Sequence, residues 1–441
     1  MKNKLALYGG EKVINKPFET YNSIGEEEIS AVEEVLKSGT LSKFLGEWHP
    51  DFYGGSRVNE FENDCKSFFN VKHAITVNSW TSGLTCCVGS IGIEPGDEVI
   101  VTPWTMCASA SSILHWNAIP VFADIESKTY NLDPKSIEKN ITKYTKAIMV
   151  ADIFGHSANM KEIMKIAKNN NLKVISDTAQ SPGAFYKGKY AGTLADVGGF
   201  SLNYHKHIHT GEGGIALTNS NYLAERMQLI RNHGEAVVAS KPTKDFDNLI
   251  GFNFRLGEIE AAIGIEQLKK ASKLIAKRIE NVKYIEKKLE NCKLVKTISI
   301  PNHIKHVYYN HNLMFQENNE FNLSASQFID AVKSELPATK LREKDGPLIG
   351  LGGIKPLYHL PIYQKQIAIG SKGYPFKGSH YKGKVDYSKA LCPNAENIRS
   401  KLIIHELMYP NMTKNDLDDF VNAFIKVETY ADQLVDVKKK V

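Results

Sequence analysis

The sequence predicts an α/β protein: a large domain on a mostly parallel mixed sheet, followed by a smaller α+β domain at the C-terminal end. Three observations carry this. Short apolar runs of strand length alternate with helical segments through the first half. One long helical segment then runs from about Glu258 to about Asn291. Beyond it the chain turns to short strands and polar helices. Strand, helix, strand in that order implies right-handed crossovers and a sheet covered on both faces.

Residues 26–38 place Ile29, Val32, Val35 and Leu36 on one helical face, and Gly39 is a stop signal. Ala74–Val77, Val99–Thr102, Pro120–Ala123 and Ala147–Ala151 are apolar runs of strand length. Between the last of these and the next strand, residues 159–170 gather Met160, Ile163, Met164 and Ala167 on one helical face. Two more strands are expected at Val197–Leu202 and Ile215–Thr218. The boundaries expected are a large domain over 1–257, a linking helix over 258–292 and a small domain over 293–441, with the N-terminal segment packed on the small domain. Within the small domain, residues 342–390 are rich in Gly, Pro, Tyr and Lys and read as a long loop insertion, a kind of segment that often carries function.

Composition removes several classes. At 441 residues with 42% hydrophobic and 24% charged, the chain is neither disordered nor in need of disulfide staples. A formal net charge of +6 is too small an excess to suggest a nucleic-acid partner. The six cysteines contain no CxxC pair, so no zinc knuckle or thiol redox motif is expected. The apolar run near the start, Leu5-Ala6-Leu7, is too short for a secretory signal, and no stretch approaches the roughly 20 residues of a membrane span. A cytoplasmic protein with no membrane partner is expected.

Three stretches could carry chemistry. Gly198–Thr218 reads GGFSLNYHKHIHTGEGGIALT. On a strand His205, His207 and His209 would face one way and could hold zinc, but no carboxylate or cysteine is spaced to complete the site. The competing reading centres on Lys206, set among histidines before a glycine-rich turn, as a nucleophile toward carbonyls. Val174–Ala184 ends a strand in Asp177 with Gln180 three residues on, which puts a carboxylate where open α/β sheets bind ligands; a plain helix N-cap is the alternative. Thr76–Leu84, TVNSWTSGL, is a strand-to-helix turn whose N–H groups, with the Thr81 and Ser82 hydroxyls, could hold a phosphate. It contains neither a Walker pattern nor GxGxxG.

Together, NSWTSGL, PGDEVIVTPWT, SDTAQSPGA, FSLNYHKHIHTGEGG, RNHGE, GFNFRLGEIEAAIGIEQL and CPNAE, in that order, resemble the pyridoxal-phosphate-dependent sugar aminotransferases of the DegT/StrS type. The resemblance runs from about Leu5 to about Asn422. It implies fold type I, the aspartate-aminotransferase-like arrangement, with pyridoxal 5'-phosphate on the large domain. It implies Lys206 as the lysine forming the Schiff base and Asp177 as the partner of the pyridinium nitrogen. Gln180 would lie near the cofactor's phenolic oxygen, and Thr81, Ser82 and Ser201 would touch its phosphate. Asn253 would reach the phosphate of a neighbouring subunit's cofactor, so a homodimer with shared active sites is implied. The implied reaction takes the amine of L-glutamate through pyridoxamine phosphate onto a keto-sugar, in many relatives nucleotide-linked, in making the aminosugars of polysaccharides or antibiotics.

Two departures stand out. Where the family usually stacks an aromatic on the cofactor ring this chain has Met106, whose thioether can pack on a π-face, with Trp104 close in sequence. Residues 342–390 match no relative clearly and, with Phe44–Gly55, are expected to shape the acceptor pocket. Two rivals remain: a sugar dehydratase on the same scaffold, which would carry histidine at the lysine position, and a protein that keeps the fold without turnover. The glycines at 211, 213 and 214 set the register that puts lysine there, and the joint presence of Asp177, Gln180 and Lys206 argues against a dead site. Beside a lysine with an assigned role, the zinc reading loses its ground, and no metal is expected.

Overall fold

In the computed structural model, which describes residues 4–241, 245–337 and 348–435, the apolar runs of the first half become seven strands of one sheet. They are β1 His73–Val77, β2 Glu98–Val101, β3 Ile119–Phe122, β4 Thr145–Ala151, β5 Lys173–Asp177, β6 Val197–Ser201 and β7 Gly214–Thr218. Their order is β1-β7-β6-β5-β4-β2-β3. Strands β6, β5, β4, β2 and β3 run parallel, and β7 is antiparallel to both β6 and β1. Side chains alternate across the sheet, and both faces are covered. Val99, Val101, Met149 and Ile175 pack with Leu84, Ile113 and Met227 from helices on one side. Ile100, Ile148, Val150 and Val174 pack with Met160 and Ile163 on the other. That two-sided burial is why these strands read as unbroken apolar runs.

A four-stranded antiparallel sheet follows, ordered Val295–Thr297, His311–Phe315, Leu402–His405, Ile349–Leu351. Its Leu313, Phe315 and Ile403 share a core with Phe328 and Val332 of the helix Ala325–Glu335 and Phe420 and Phe424 of the helix Lys414–Thr429. The 32-residue helix Glu258–Leu289 joins the two sheets. Its first half packs Ile265 and Leu268 against Phe61, Phe200 and Leu217, and its second half sends Val282, Ile285 and Leu289 into the core of the small sheet. The N-terminal segment belongs to that second core as well: Leu5 is buried in it, and the Ala6 and Val13 N–H groups donate to buried Glu335 at 2.8 and 3.2 Å.

Residues 342–347 lie outside the described residues, and the rest of the 342–390 stretch begins in the small sheet at Ile349–Leu351. It leaves the small sheet and returns to the β2–β3 edge of the large one. Leu357 N–H donates to Pro103 O at 3.0 Å, Tyr381 Oη to Glu98 Oε1 at 2.7 Å and Tyr387 Oη to Pro120 O at 2.6 Å. Tyr358, Tyr363 and Tyr387 pack edge-on against Phe122. This aromatic wrap shields the open β3 edge, which an exposed sheet edge requires.

One buried charge pair pins the carboxyl end of β1. Glu62 Oε1 accepts from Thr76 N, Thr76 Oγ1 and Arg231 Nη1 at 2.9, 2.9 and 2.8 Å, and Arg231 is fully buried. Glu62→Ala would strand that guanidinium, so unfolding in urea is expected to show a loss of about 3–5 kcal/mol; a change below about 1 kcal/mol would mean the pair is not holding β1.

Candidate active site

The chain runs outward from β2 to β3, then crosses back to β4 and onward to β5 and β6. The carboxyl ends of strands flanking such a reversal form a crevice. Here that crevice is a cleft of about 260 Å³, lined by residues at or beyond the carboxyl ends of β2 (Thr105, Met106), β4 (Asp152, Ile153), β5 (Asp177, Gln180) and β6 (Ser201, Lys206).

Asp177 is the last residue of β5, paired with Ala151 on one side and Gly199 on the other. It is buried, and three donors fix its carboxylate. Trp80 Nε1 donates to Oδ1 at 2.7 Å, Ala179 N to Oδ1 at 3.3 Å and Ser109 Oγ to Oδ2 at 2.6 Å. The indole reaches Asp177 because Gly199 has no side chain. A Cβ there would lie 2.0 Å from Ile215 O and 2.4 Å from the Trp80 ring, and its φ of +153° is closed to most residues. Trp80 and Ser109 were not singled out by the sequence reading. Nothing in a primary sequence says that residues 97 and 68 positions away share one carboxylate.

Lys206 sits in the connection between β6 and β7. Lys206 N–H donates to Asn203 O, Thr210 N–H to Leu202 O and Tyr204 N–H to Gly211 O, each at 2.9 Å, and the turn closes through Gly211 at φ +85°. Glu212 accepts from Asn203 Nδ2 at 2.8 Å, so it orders this turn. Lys206 Nζ lies 4.2 Å from the centroid of the Tyr309 ring. The three neighbouring histidines go to three places. His205 lines the cleft, His207 Nε2 bonds Val307 O at 2.9 Å, and His209 Nε2 bonds Ser23 Oγ at 2.8 Å. Among the described residues no group of three His, Cys, Asp or Glu could hold a metal ion.

The helix Trp80–Ser90 begins on the cleft, capped by Ser79, whose hydroxyl accepts from Ser82 N at 3.1 Å. Ser79 and Thr81 line the cleft. Ser82 does not: its hydroxyl turns back to Asn78 Oδ1 at 2.8 Å. Ser201 lines the cleft beside this turn and accepts from Asn203 N at 3.2 Å. Gln180 Oε1 accepts from Phe154 N at 2.7 Å, which leaves its amide N–H groups as the donors it can offer. Met106 is 60% exposed on the cleft wall, with its sulfur accepting from Ala108 N at 3.1 Å. Trp104 is fully buried and does not line the cleft, so it is no substitute for a stacking ring. Asn253 is exposed, away from its own chain's cleft, and accepts from Arg255 Nε at 2.7 Å. The described part of 342–390 and residues 44–55 do not line this cleft.

Asp152 was missed. It follows β4 as Asp177 ends β5, so an aspartate closing an apolar run was the available signal. Burial pushes its carboxyl up to about 6, against hydrogen bonds from Ala158 N, Thr178 Oγ1 and Ser176 Oγ.

A known family shares this architecture. The model of the DegT/DnrJ/EryC1/StrS aminotransferase family matches residues 22–342. The chain belongs to that family. It is 30% identical over 416 residues to the spore coat polysaccharide biosynthesis protein SpsC of Bacillus subtilis, covering 93% of this chain and 96% of SpsC. It is 40% identical over 236 residues to the GDP-perosamine synthase of Caulobacter vibrioides, covering 53% of this chain and 62% of the synthase. Helicobacter pylori PseC, an aminotransferase involved in the biosynthesis of pseudoaminic acid, superposes with a TM-score of 0.75 at 27% identity, over 94% of this chain and 100% of PseC. The chain is therefore an aminotransferase with the fold type I architecture, and its family implies pyridoxal phosphate as cofactor. The cleft's own chemistry suits that group. A buried carboxylate held by three donors, a helix N-terminus with hydroxyls and a lysine all line it.

Proposed function

We propose that this aminotransferase moves the amine of L-glutamate onto a keto-sugar, nucleotide-linked, in aminosugar biosynthesis, with pyridoxal phosphate joined to Lys206. The observation that carries this is the convergence of Lys206, Asp177 and Gln180 on one cleft at the carboxyl ends of β4, β5 and β6. Pyridoxal phosphate, when bound, supplies an electron sink for the carbon that bears the amine. Asp177 holds the proton on the ring nitrogen, which an ion pair in a closed cleft favours. Gln180 donates to the phenolic oxygen. Thr81, Ser201 and the N–H groups of the Ser79–Thr81 turn bind the phosphate and so orient the ring. Lys206 Nζ takes the proton from the donor's α-carbon and returns it as general acid. Donor and acceptor use the same cleft in turn, so ping-pong kinetics are expected.

Asn253 fits a role in a partner's site because it is exposed and off its own cleft, with Phe246 and Ile250 exposed at 61% and 71% nearby in sequence. Apolar groups so exposed favour contact with a second copy, which supports a homodimer with shared sites. Ser82 then acts behind the phosphate turn, through Asn78, whose side chain also bonds Asn253 O at 3.3 Å.

The test is the visible spectrum of the protein with pyridoxal phosphate, before and after L-glutamate, followed by a panel of keto-sugars. A yellow band that bleaches with glutamate and returns with one keto-sugar is expected. A band that ignores every amino donor would overturn the reading and favour a dehydratase. A smaller effect is expected for Trp80→Phe, which removes the shortest donor to Asp177 Oδ1. Losing a hydrogen bond to a charged group costs about 1.5–3 kcal/mol. Cofactor titration should therefore show a Kd raised roughly ten- to hundredfold, and an unchanged Kd would mean the indole does not hold the carboxylate.

A further inference from the structure

Tyr309 is absent from the sequence motifs, yet it is the aromatic ring over the lysine. It lies on the segment that leads into the strand His311–Phe315 of the small sheet, and Lys206 comes from the β6–β7 connection of the large one. The separation of 4.2 Å between Lys206 Nζ and the ring centroid is well inside the roughly 6 Å over which a ring face attracts a cation.

The placement is held from four sides. Tyr309 N–H donates to Phe154 O at 2.9 Å, while Phe154 N–H donates to Gln180 Oε1 at 2.7 Å, so one residue bonds both the ring's backbone and the Gln180 side chain. Val307 N–H donates to Gly155 O at 2.9 Å. Val307 O accepts from His207 Nε2, the residue after the lysine. Arg278 Nη1 of the long helix donates to Tyr308 O and Tyr309 O at 3.2 and 3.4 Å. The approach needs an unusual backbone. Phe154 adopts φ 59°, and Gly155 adopts φ +101°, where a Cβ would fall 2.6 Å from Tyr308 N and 2.7 Å from Tyr309 N. Left-handed residues in succession are costly and persist where the surroundings over-determine them.

We propose that Tyr309 is a positioning residue for Lys206, its ring face holding the side chain while the lysine is not bonded to the cofactor and steadying the ε-ammonium it becomes on taking the donor's proton. This rests on the role given to Lys206 above. In that role the lysine is displaced by the incoming amine and must stay within reach of the reacting carbon. The ring gives it a fixed place and favours its protonated form. The main-chain bonds through Phe154 place that ring relative to Gln180, which lines the cleft.

The test reads the lysine itself rather than turnover. In the full chain freed of cofactor, trace acetylation of Lys206 with isotopically labelled acetic anhydride, followed by peptide mass spectrometry, reports its neutral fraction as a function of pH. The other titratable groups on this cleft are Asp152, Asp177, Glu212 and His205, with His207 and Arg278 behind; the Tyr309 ring also meets the His205 and His207 rings at 5.9 and 6.3 Å, contacts that the fluorinated phenylalanines keep. Tyr309→Leu keeps the bulk and loses the ring. Its labelling at neutral pH is expected to rise about three- to tenfold, with the midpoint shifted to lower pH, while Tyr309→Phe stays within about twofold of the parent. Phenylalanines carrying one, two and three fluorines at 309 keep the shape and weaken the ring's negative face, so labelling should rise along the series. They decide the matter if the leucine variant fails to fold. A flat fluorine series, or a leucine variant that folds and labels like the parent, would overturn the proposal. Because the readout needs neither cofactor nor substrate, that failure is separate from the failure of the aminotransferase reading, which would show as a parent protein that transfers no amine.

Discussion

Lys206→Ala is expected to abolish amino transfer, with kcat lowered by at least about a thousandfold. General acid–base catalysis alone contributes 10²–10⁴-fold, and this substitution removes both the proton carrier and the group that bonds the cofactor. Binding of pyridoxal phosphate should survive in weakened form, because Asp177, Gln180, Ser201 and the turn at Ser79–Thr81 are untouched. The fold should survive too, since the turn around Lys206 is closed by main-chain bonds from Leu202, Asn203 and Gly211 that need no lysine side chain. Single-turnover kinetics with L-glutamate, alongside a thermal melt, separate these effects. Partial rescue by a small primary amine in solution would tie the loss to the missing amine. A variant that kept full amino transfer would sink the assignment of Lys206.

The second large effect is on stability in acid. His156, His207, His306 and His405 are all buried, and burial lowers each below its ordinary value: His207 to about 3, His156 to about 4, the other two well down. Burial is the leading cause in every case. For His306 the nearby His156, His311 and His207 add to it, and for His405 His311 does. His156, His207 and His306 stand where the two sheets meet, and His405 lies on a strand of the small sheet. The His156 and His306 rings meet edge to face at 5.5 Å, His306 stacks on Tyr308 at 4.0 Å, and His405 bonds His311 at 2.7 Å. The sign follows from which state binds protons. Above about pH 6.5 the four are neutral in both states and cost nothing. Below it the unfolded chain takes up four protons that the folded chain refuses, so stability falls with pH. Asp152 works the other way. Its folded pKa is raised to about 6, so it favours the folded state as pH drops from about 6 toward 4. The net difference is about three protons, or roughly 4 kcal/mol lost per pH unit between about 6 and 4. Against a total stability of about 5–15 kcal/mol, that places acid unfolding within about one to four pH units of 6. Urea midpoints at pH 7.5, 6.5 and 5.5 should fall steeply over the last step. His306→Asn should flatten that slope by one proton. A midpoint constant from 7.5 to 5.5 would show that these histidines are not kept neutral.

How far the sequence could be read depended on the range of the forces involved. Strands Val99–Val101, Ala147–Ala151 and Val174–Asp177 were legible because each is buried on both faces, which writes the answer into consecutive residues. The helix from Glu258 was legible because it packs at helical spacing along its length. Lys206, Asp177 and Gln180 could be picked out because the lysine turn and the strand-end carboxylate are local patterns that a family resemblance could name. The wrap of residues 348–390 over the β3 edge was not legible. Its Gly- and Tyr-rich text says loop, and only the finished sheet shows which edge needs cover. Trp80 and Ser109 on Asp177, Ser82 turned toward Asn78 and the buried Trp104 were equally out of reach, because each depends on a direction set by packing.

Sequence therefore carried the fold class and the family, and pointed to Lys206, all of which rest on residue type, short spacing and periodicity. Tertiary structure alone decided what surrounds that lysine: the Tyr309 ring above it, the Phe154–Gly155 backbone that fixes the ring, and the buried histidines at the junction. These partners lie up to about a hundred residues from Lys206 along the chain, and whether a tyrosine faces a lysine or solvent is settled only when both elements are packed against a common core.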